Sequence, residues 1–198
     1  MPSIRTFIAI ELEPPLLDAL ERVQTQLRQG EGGRAGRWVK RDNIHLTLKF
    51  LGDVPVGQLE SLHQAVARAC EGFSPFVLTV TDLDCLPSLR RPRVICVDVQ
   101  EETGQLVRLQ QAVERELNLL GFPAERRRFK PHLTLGRVRR HATRWETEAL
   151  AKSVATYRSG DRARMRVDRV SVVRSDLTPG GAIYARLFEA PLAGSKQD

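Results

Sequence analysis

The sequence predicts an α+β protein with antiparallel sheet, folded as two lobes related by an approximate twofold axis. Segments with strand patterns and segments with helix patterns alternate along the 198 residues. The patterns predict roughly eight strands and about four helices. These are too few helices to join every pair of strands by a parallel crossover. One tetrapeptide also occurs twice, each time inside a predicted strand. These three observations favour a duplicated, mainly antiparallel architecture.

Each element rests on a local pattern. Period-two runs rich in β-branched residues predict strands, and apolar residues at helical spacing predict helices. Two prolines at 14 and 15 suit a first helical turn, and glycines break the chain between elements. In order, the predicted elements are a strand over 5–12, a helix from 14 to 27, a flexible glycine-rich loop over 30–36, strand structure at 38–39, a strand over 44–51 ended by Gly52, a helix over 56–69, strands over 76–80 and 94–99, a helix over 106–120, a strand over 132–138, a weaker helix over 145–157, and a closing strand pair over 165–173 and 183–188.

Composition limits the class of protein. With 41% hydrophobic and 28% charged residues the chain can bury a core, and no low-complexity linker divides it. We therefore expect a single domain over residues 1–198. No apolar run approaches the roughly 20 residues that span a bilayer, and the first residues lack the apolar core of a secretory signal. The prediction is a soluble, cytoplasmic protein without a membrane partner.

The cysteines predict neither a disulfide framework nor a metal centre. Cys70, Cys85 and Cys96 are odd in number and in no ligand spacing. A reducing compartment suits them, and we expect no metal and no cofactor.

Positive charge is concentrated in the second half of the chain. Residues 1–99 carry 12 basic and 12 acidic side chains, whereas residues 100–198 carry 19 and 12. A cluster within about twenty residues holds much of the excess, and it can be either a solvated surface or a phosphate-binding rim. Its members are Arg126, Arg127, Arg128, Lys130, Arg137, Arg139, Arg140 and Arg144.

The repeated tetrapeptide HLTL supplies the candidate catalytic side chains. In a strand, alternate side chains share a face, so His45 with Thr47, and His132 with Thr134, each present an imidazole beside a hydroxyl. If the two faces meet across a cleft, one neutral histidine can accept a proton from an attacking oxygen while the other, protonated, donates to the leaving oxygen of a phosphate ester. A zinc site is disfavoured because no third ligand stands at a suitable spacing.

With the segments RTFIAIEL, WVKRDNIHLTLKFLGDV and FKPHLTLGRV in this order, the chain resembles the 2H phosphoesterase superfamily, specifically its RNA 2′,3′-cyclic phosphodiesterases, also called 2′-5′ RNA ligases. The resemblance spans nearly the whole chain. It implies two intertwined lobes, each an antiparallel sheet with helices on its outer face, and an active-site groove between them. It also implies an enzyme that needs no cofactor.

The resemblance also implies roles for single residues. It makes His45 the general acid and His132 the base, Thr47 and Thr134 phosphate ligands, and Arg137 a substrate-binding residue. Phe50 stands at the equivalent offset in the first motif, so a nucleobase could lie between Phe50 and Arg137. Strict alternation instead points both side chains into the core, and we expect a β-bulge near Gly136 and the turn at Gly52 to bring them into the groove.

Two further residues are predicted to bind substrate on weaker grounds. Trp38 could stack on RNA, although packing of the lobes is its commoner role. Lys130 could contact flanking phosphates, with a solvated face as the alternative. Lys49 shares the alternation of the first motif and could also reach phosphate.

The function predicted is metal-free hydrolysis of RNA 2′,3′-cyclic phosphate ends, such as those of tRNA fragments, to 2′-phosphates by a monomer. The same residues would allow reversible 2′-5′ ligation. Two alternatives remain open: a non-catalytic RNA-binding module, and a phosphodiesterase of small cyclic nucleotides.

Overall fold

Nine strands and four helices make up the part of the chain that the computed structural model describes, residues 2–158 and 162–194. The predicted domain over 1–198 thus includes a few residues at the ends and at 159–161 that lie outside the described part. The strands are β1 (Ser3–Glu11), β2 (Gly36–Trp38), β3 (His45–Pro55), β4 (Phe76–Leu86), β5 (Val94–Gln100), β6 (His132–Val138), β7 (Arg164–Val167), β8 (Arg169–Thr178) and β9 (Gly181–Pro191). The helices are α1 (Pro14–Gln29), α2 (Leu59–Cys70), α3 (Gln105–Leu119) and α4 (Arg144–Thr156).

The helix boundaries follow local sequence chemistry. Prolines occupy the first positions of α1, where their fixed φ suits a helix and their missing N–H costs nothing. Thr143 caps α4 in a capping box with Glu146, each side chain bonding the other's backbone N–H. The α+β prediction is confirmed, and all four predicted helices are present.

Every strand pair is antiparallel. One lobe has the order β3-β1-β8-β9 and the other β6-β5-β4-β7, with β2 added to β6. The two expected sheets are joined edge to edge through a single residue pair, Leu46 with Leu133. This junction lies between the two repeated motifs, on the pseudo-twofold axis.

The two repeats exchange a strand. β4 follows the first motif along the chain but lies in the lobe of the second motif, and β8 lies in the lobe of the first. The sequence predicted one strand over 165–173, which is wrong. The chain breaks at Asp168, and the pieces on either side, β7 and β8, belong to different lobes.

The main core lies between the helices and one face of the sheet. It includes buried residues from all four helices together with alternate strand residues such as Ile8, Ile10, Leu46 and Leu133. The opposite face, which we call the groove face, carries a small apolar cluster around Phe7. The groove between the lobes is therefore lined by strand side chains that the helices do not cover.

Candidate active site

The two HLTL motifs lie beside each other at the junction of the lobes. Leu46 and Leu133 are register partners and both are 1% exposed, so they point together into the core. Neighbouring residues in a strand point to opposite faces. His45, Thr47, His132 and Thr134, which flank this pair, therefore share the groove face, and all four are partly exposed.

The register also sets the separation of the two histidines. With Leu46 opposite Leu133, the two histidines occupy diagonal positions, which lie roughly 7–8 Å apart in an antiparallel pair. An atom that exchanges protons with a side chain must come within about 2.6–3.2 Å of it. A single phosphate group between the two rings can meet that requirement on both sides.

Both imidazoles are held by the same local contact. Nδ1 of His45 lies 2.8 Å from the carbonyl oxygen of Asn43, and Nδ1 of His132 lies 2.8 Å from that of Lys130, in each case two residues earlier in the chain. A carbonyl only accepts, so each Nδ1 carries the proton and donates it. Each ring thus keeps Nε2 free to gain or lose a proton towards the groove.

His45 lies among aromatic rings. Its ring stacks on Phe7 at a centroid distance of 4.6 Å and meets the edge of Tyr184 at 5.3 Å. This burial lowers the pKa of His45, while the hydrogen bond to Asn43 and the charge of Glu11 act in the opposite direction. In the free protein, the surroundings of His45 favour its neutral form.

A carboxylate stands opposite each histidine on the neighbouring strand. Glu11 of β1 is the register partner of His45, and Asp98 of β5 is that of His132. The sequence reasoning missed both residues. The repeat could have revealed both carboxylates. The strands that pair with the two motifs, β1 and β5, contain IAIE and ICVD, with an acid at the equivalent position.

Both carboxylates have partners of their own. Glu11 Oε2 accepts hydrogen bonds from Ser171 Oγ at 2.7 Å and from Arg186 Nε at 2.6 Å. Lys130 Nζ lies 3.4 Å from Asp98 Oδ1 and 2.7 Å from Asp84 Oδ2. Each lobe therefore holds a carboxylate and a cation beside its histidine.

A β-bulge lies at the last residue of each motif. In β3 the register skips Leu48, and in β6 it skips Leu135. An extra residue reverses the alternation, so Phe50 and Arg137 point to the groove face and are exposed, rather than into the core. The expected bulge near Gly136 is present. Gly52 does not end the strand; it lies within β3 with φ +74°.

The same bulge moves Lys49 to the core side. Lys49 is 6% exposed, and its Nζ donates to a carboxylate oxygen of Glu114 on α3 and to the carbonyl of Pro123 at 2.7 Å. The prediction that Lys49 could reach phosphate is therefore wrong, because alternation was counted through a bulge that the sequence does not reveal.

Aromatic and basic side chains line the groove beyond the motifs. Phe50 is 68% exposed, and its ring lies 6.0 Å from that of Phe7. Burial raises the pKa of Tyr184, while the charges of Arg137 and Arg5 act in the opposite direction. The guanidinium of the second lobe thus acts on the aromatic cluster of the first.

The two weaker candidates have other partners. Trp38 is partly buried, packs against the core and donates from Nε1 to the carbonyl of Gly33 at 3.2 Å. Its indole fills the space beside Gly36 and Gly136, where added Cβ atoms would lie 2.7 and 3.1 Å from it. The charge of Lys130 is shared with two carboxylates, and hydrogen bonding to Asp84 raises its pKa.

The cysteines lie outside this chemistry. Cys70, Cys85 and Cys96 are buried and unpaired, and burial raises their pKa values to about 12, 11 and 12. They are protonated at neutral pH and hence poor nucleophiles. Among residues 2–158 and 162–194, no three His, Cys, Asp or Glu side chains cluster closely enough to hold a metal ion. No helix in that part of the chain is long and apolar enough to cross a bilayer.

The comparisons with known proteins agree with one another on the family of this chain. The sequence profile described as LigT like Phosphoesterase matches twice, over residues 10–96 and 97–184, which are the two repeats. A protein of Methanothermobacter thermautotrophicus named RNA 2′,3′-cyclic phosphodiesterase is 34% identical, covering 92% of this chain and 95% of its own. A protein of the same name from Thermotoga maritima is 33% identical, covering 96% and 97%. A solved structure from Thermus thermophilus superimposes with a TM-score of 0.80 at 26% identity, covering 97% of this chain and 100% of that one.

Proposed function

Because the chain belongs to the LigT-like phosphoesterase family, we propose that it hydrolyses RNA 2′,3′-cyclic phosphate ends to 2′-phosphates. The observation that carries the proposal is the pair of imidazoles on one groove face, each with Nδ1 bound to a carbonyl and Nε2 free. The names of the relatives from Methanothermobacter and Thermotoga give the same substrate.

In the proposed reaction, water attacks phosphorus in line with the bond to the ribose 3′-oxygen. Nε2 of His132 takes a proton from this water, and Nε2 of His45 gives a proton to the departing 3′-oxygen. The P–O3′ bond breaks and the P–O2′ bond remains, which leaves a 2′-phosphate and a 3′-hydroxyl. The hydroxyls of Thr47 and Thr134 donate to the non-bridging oxygens; no hydrogen bond to another described residue occupies either of them.

Substrate binding and protonation of His45 are coupled in this scheme. Burial favours the neutral ring in the free protein, but the acid role requires the cation. A cyclic phosphate is an anion, and an opposite charge within a few ångströms favours the protonated form. Binding of the phosphate therefore favours protonation of His45, which then donates this proton to the leaving oxygen.

Phe50 and Arg137 are proposed to hold the terminal nucleobase. Both side chains are exposed on the groove face, on opposite lobes. An aromatic ring and a guanidinium can each stack on one face of a base without selecting its sequence. The exposed arginines at 126–128, which precede the second motif along the chain, favour RNA over a small cyclic nucleotide as substrate.

Ligation follows from the same roles. If the 5′-hydroxyl of another RNA replaces water, His132 takes its proton, the P–O3′ bond breaks, and a 2′-5′ phosphodiester forms. The reverse reaction begins with attack by the 3′-hydroxyl on that linkage. Hydrolysis prevails unless the groove holds the second RNA in place.

The test is incubation with an oligonucleotide ending in a 2′,3′-cyclic phosphate, in the presence of a chelator, with separation of the 2′- and 3′-phosphate products. We expect the 2′-phosphate. His45→Ala and His132→Ala should each lower kcat by about 10²–10⁴, the usual contribution of general acid–base catalysis. The matched control is His141→Ala, since His141 is an exposed histidine outside the motifs.

Other outcomes reject the proposal. RNA binding without turnover would indicate a binding module, in which the motifs serve only the fold. A 3′-phosphate product would show that the P–O2′ bond breaks instead of the P–O3′ bond, which contradicts the proposed leaving oxygen. Near-normal rates in both histidine variants would end the acid–base scheme.

A further inference from the structure

Two arginines stand directly opposite each other beside the groove. Arg37 of β2 is the register partner of Arg137 of β6, between the pairs Gly36 with Val138 and Trp38 with Gly136. Trp38 packs against the core, so Arg37 points to the other side, the groove face that Arg137 shares. The Cβ atoms of such partners are about 4.5–5.5 Å apart, and like charges in this arrangement repel.

Nothing in the described part of the chain neutralises this pair. Both arginines are exposed, and neither forms an ion pair or a side-chain hydrogen bond with residues 2–158 or 162–194. Lys130, at the other end of the second motif, differs because Asp84 and Asp98 flank it. Two cations without a described ion-pair partner thus stand side by side at the end of β6 where β2 is added.

β2 also breaks the symmetry of the two repeats. It lies between α1 and the first motif, whereas the equivalent stretch of the second repeat, residues 120–131, contains no strand. Two equivalent His/Thr pairs cannot by themselves distinguish the two directions of a nucleic acid chain. An added pair of cations on one side supplies that direction.

We propose that Arg37, together with the N–H edge of Arg137 that base stacking leaves free, binds the phosphodiester on the 5′ side of the terminal nucleotide. This inference rests on the proposed function and adds to it a second phosphate subsite. An anion between the two guanidiniums relieves their repulsion and accepts charge-assisted hydrogen bonds from both. The substrate is then an RNA of at least two nucleotides, and a mononucleoside cyclic phosphate lacks the group that the subsite binds.

The experiment compares three substrates with wild-type protein: adenosine 2′,3′-cyclic phosphate, ApA ending in a 2′,3′-cyclic phosphate, and the same dinucleotide with an uncharged methylphosphonate linkage. We expect kcat/KM to be about tenfold or more higher for the charged dinucleotide than for the other two, as for one charge-assisted contact. Equal values for the charged and uncharged dinucleotides would overturn the inference, and this comparison needs no variant.

The variant Arg37→Ala tests whether Arg37 is a residue that binds this phosphodiester. The ratio of kcat/KM for charged over uncharged dinucleotide should fall about tenfold, whereas the control Arg22→Ala, on the exposed face of α1, should keep the wild-type ratio. An unchanged ratio in Arg37→Ala refutes the role of Arg37. If wild-type protein turns over none of the substrates, the proposed function fails, and the affinities of wild type and Arg37→Ala for the dinucleotide 2′-phosphate decide the subsite separately.

Discussion

Replacing Lys49 by methionine should destabilise the protein while leaving the groove chemistry in place. The Lys49 side chain is 4% exposed and its partner Glu114 is 16% exposed. Removing one member of a buried ion pair costs about 3–5 kcal/mol, because the other charge stays buried without its partner. Glu114 retains weaker contacts with Gln110 Nε2 at 3.2 Å and with the backbone N–H of Glu125 at 3.3 Å, so we expect the lower end, about 3 kcal/mol.

For a chain of this size, that loss corresponds to a fall in Tm of about 6–12 °C. Adding Glu114→Gln to Lys49→Met should restore more than half of the lost stability, since both charges are then absent. Arg68→Met is the matched control. Arg68 pairs with Glu116 of that same α3 helix at the surface, where such a pair contributes about 1 kcal/mol or less.

Thermal and urea unfolding measure the stabilities, and kcat/KM at a temperature where all variants are folded measures the chemistry. A Lys49→Met variant with wild-type stability, or one whose folded form loses kcat/KM by about tenfold or more, would contradict the placement of this lysine in the core. The second result would indicate instead that Lys49 contacts the phosphate of the substrate.

The remaining predictions concern the groove and its support. Glu11→Gln removes a charge that raises the pKa of His45, so the alkaline limb of kcat/KM against pH should move to lower pH; a limb that stays in place contradicts His45 as the acid. Phe50→Ala should raise KM for cyclic-ended RNA about tenfold, with kcat largely retained, as expected for loss of base stacking; an unchanged KM excludes the stack. Gly36→Ala brings a Cβ within 2.7 Å of Trp38 and should cost roughly 1–3 kcal/mol of unfolding free energy, recovered in part by Trp38→Leu; wild-type stability in the single variant would refute this packing.

The sequence predicts the parts of the fold that depend on local pattern. Helical periodicity predicts the four helices, with proline or glycine near the ends of the first three, and the second motif strand has the predicted bounds, His132–Val138. Duplication of HLTL predicts two equivalent lobes, because chance rarely repeats a tetrapeptide in matching contexts. These features need no knowledge of which strands become neighbours.

What the sequence could not predict depends on pairing between distant segments. The bulge that moves Lys49 into the core exists only relative to β1, and the partner Glu114 comes from α3. Likewise, the break at Asp168 sends β7 and β8 to different lobes, because pairing with distant strands decides which sheet each piece joins. The opposition of Arg37 and Arg137 is of the same kind, since β2 is too short to show a pattern.

The exchange of β4 and β8 between the lobes has a consequence for any attempt to divide the molecule. A polypeptide cut in the loop between β4 and β5 would give fragments that each hold one HLTL motif but lack an interior strand of their own sheet. Neither fragment would be an autonomous unit, yet mixing them would let each donate the strand that the other needs. Catalysis regained on co-expression of the fragments would then report this reciprocal complementation.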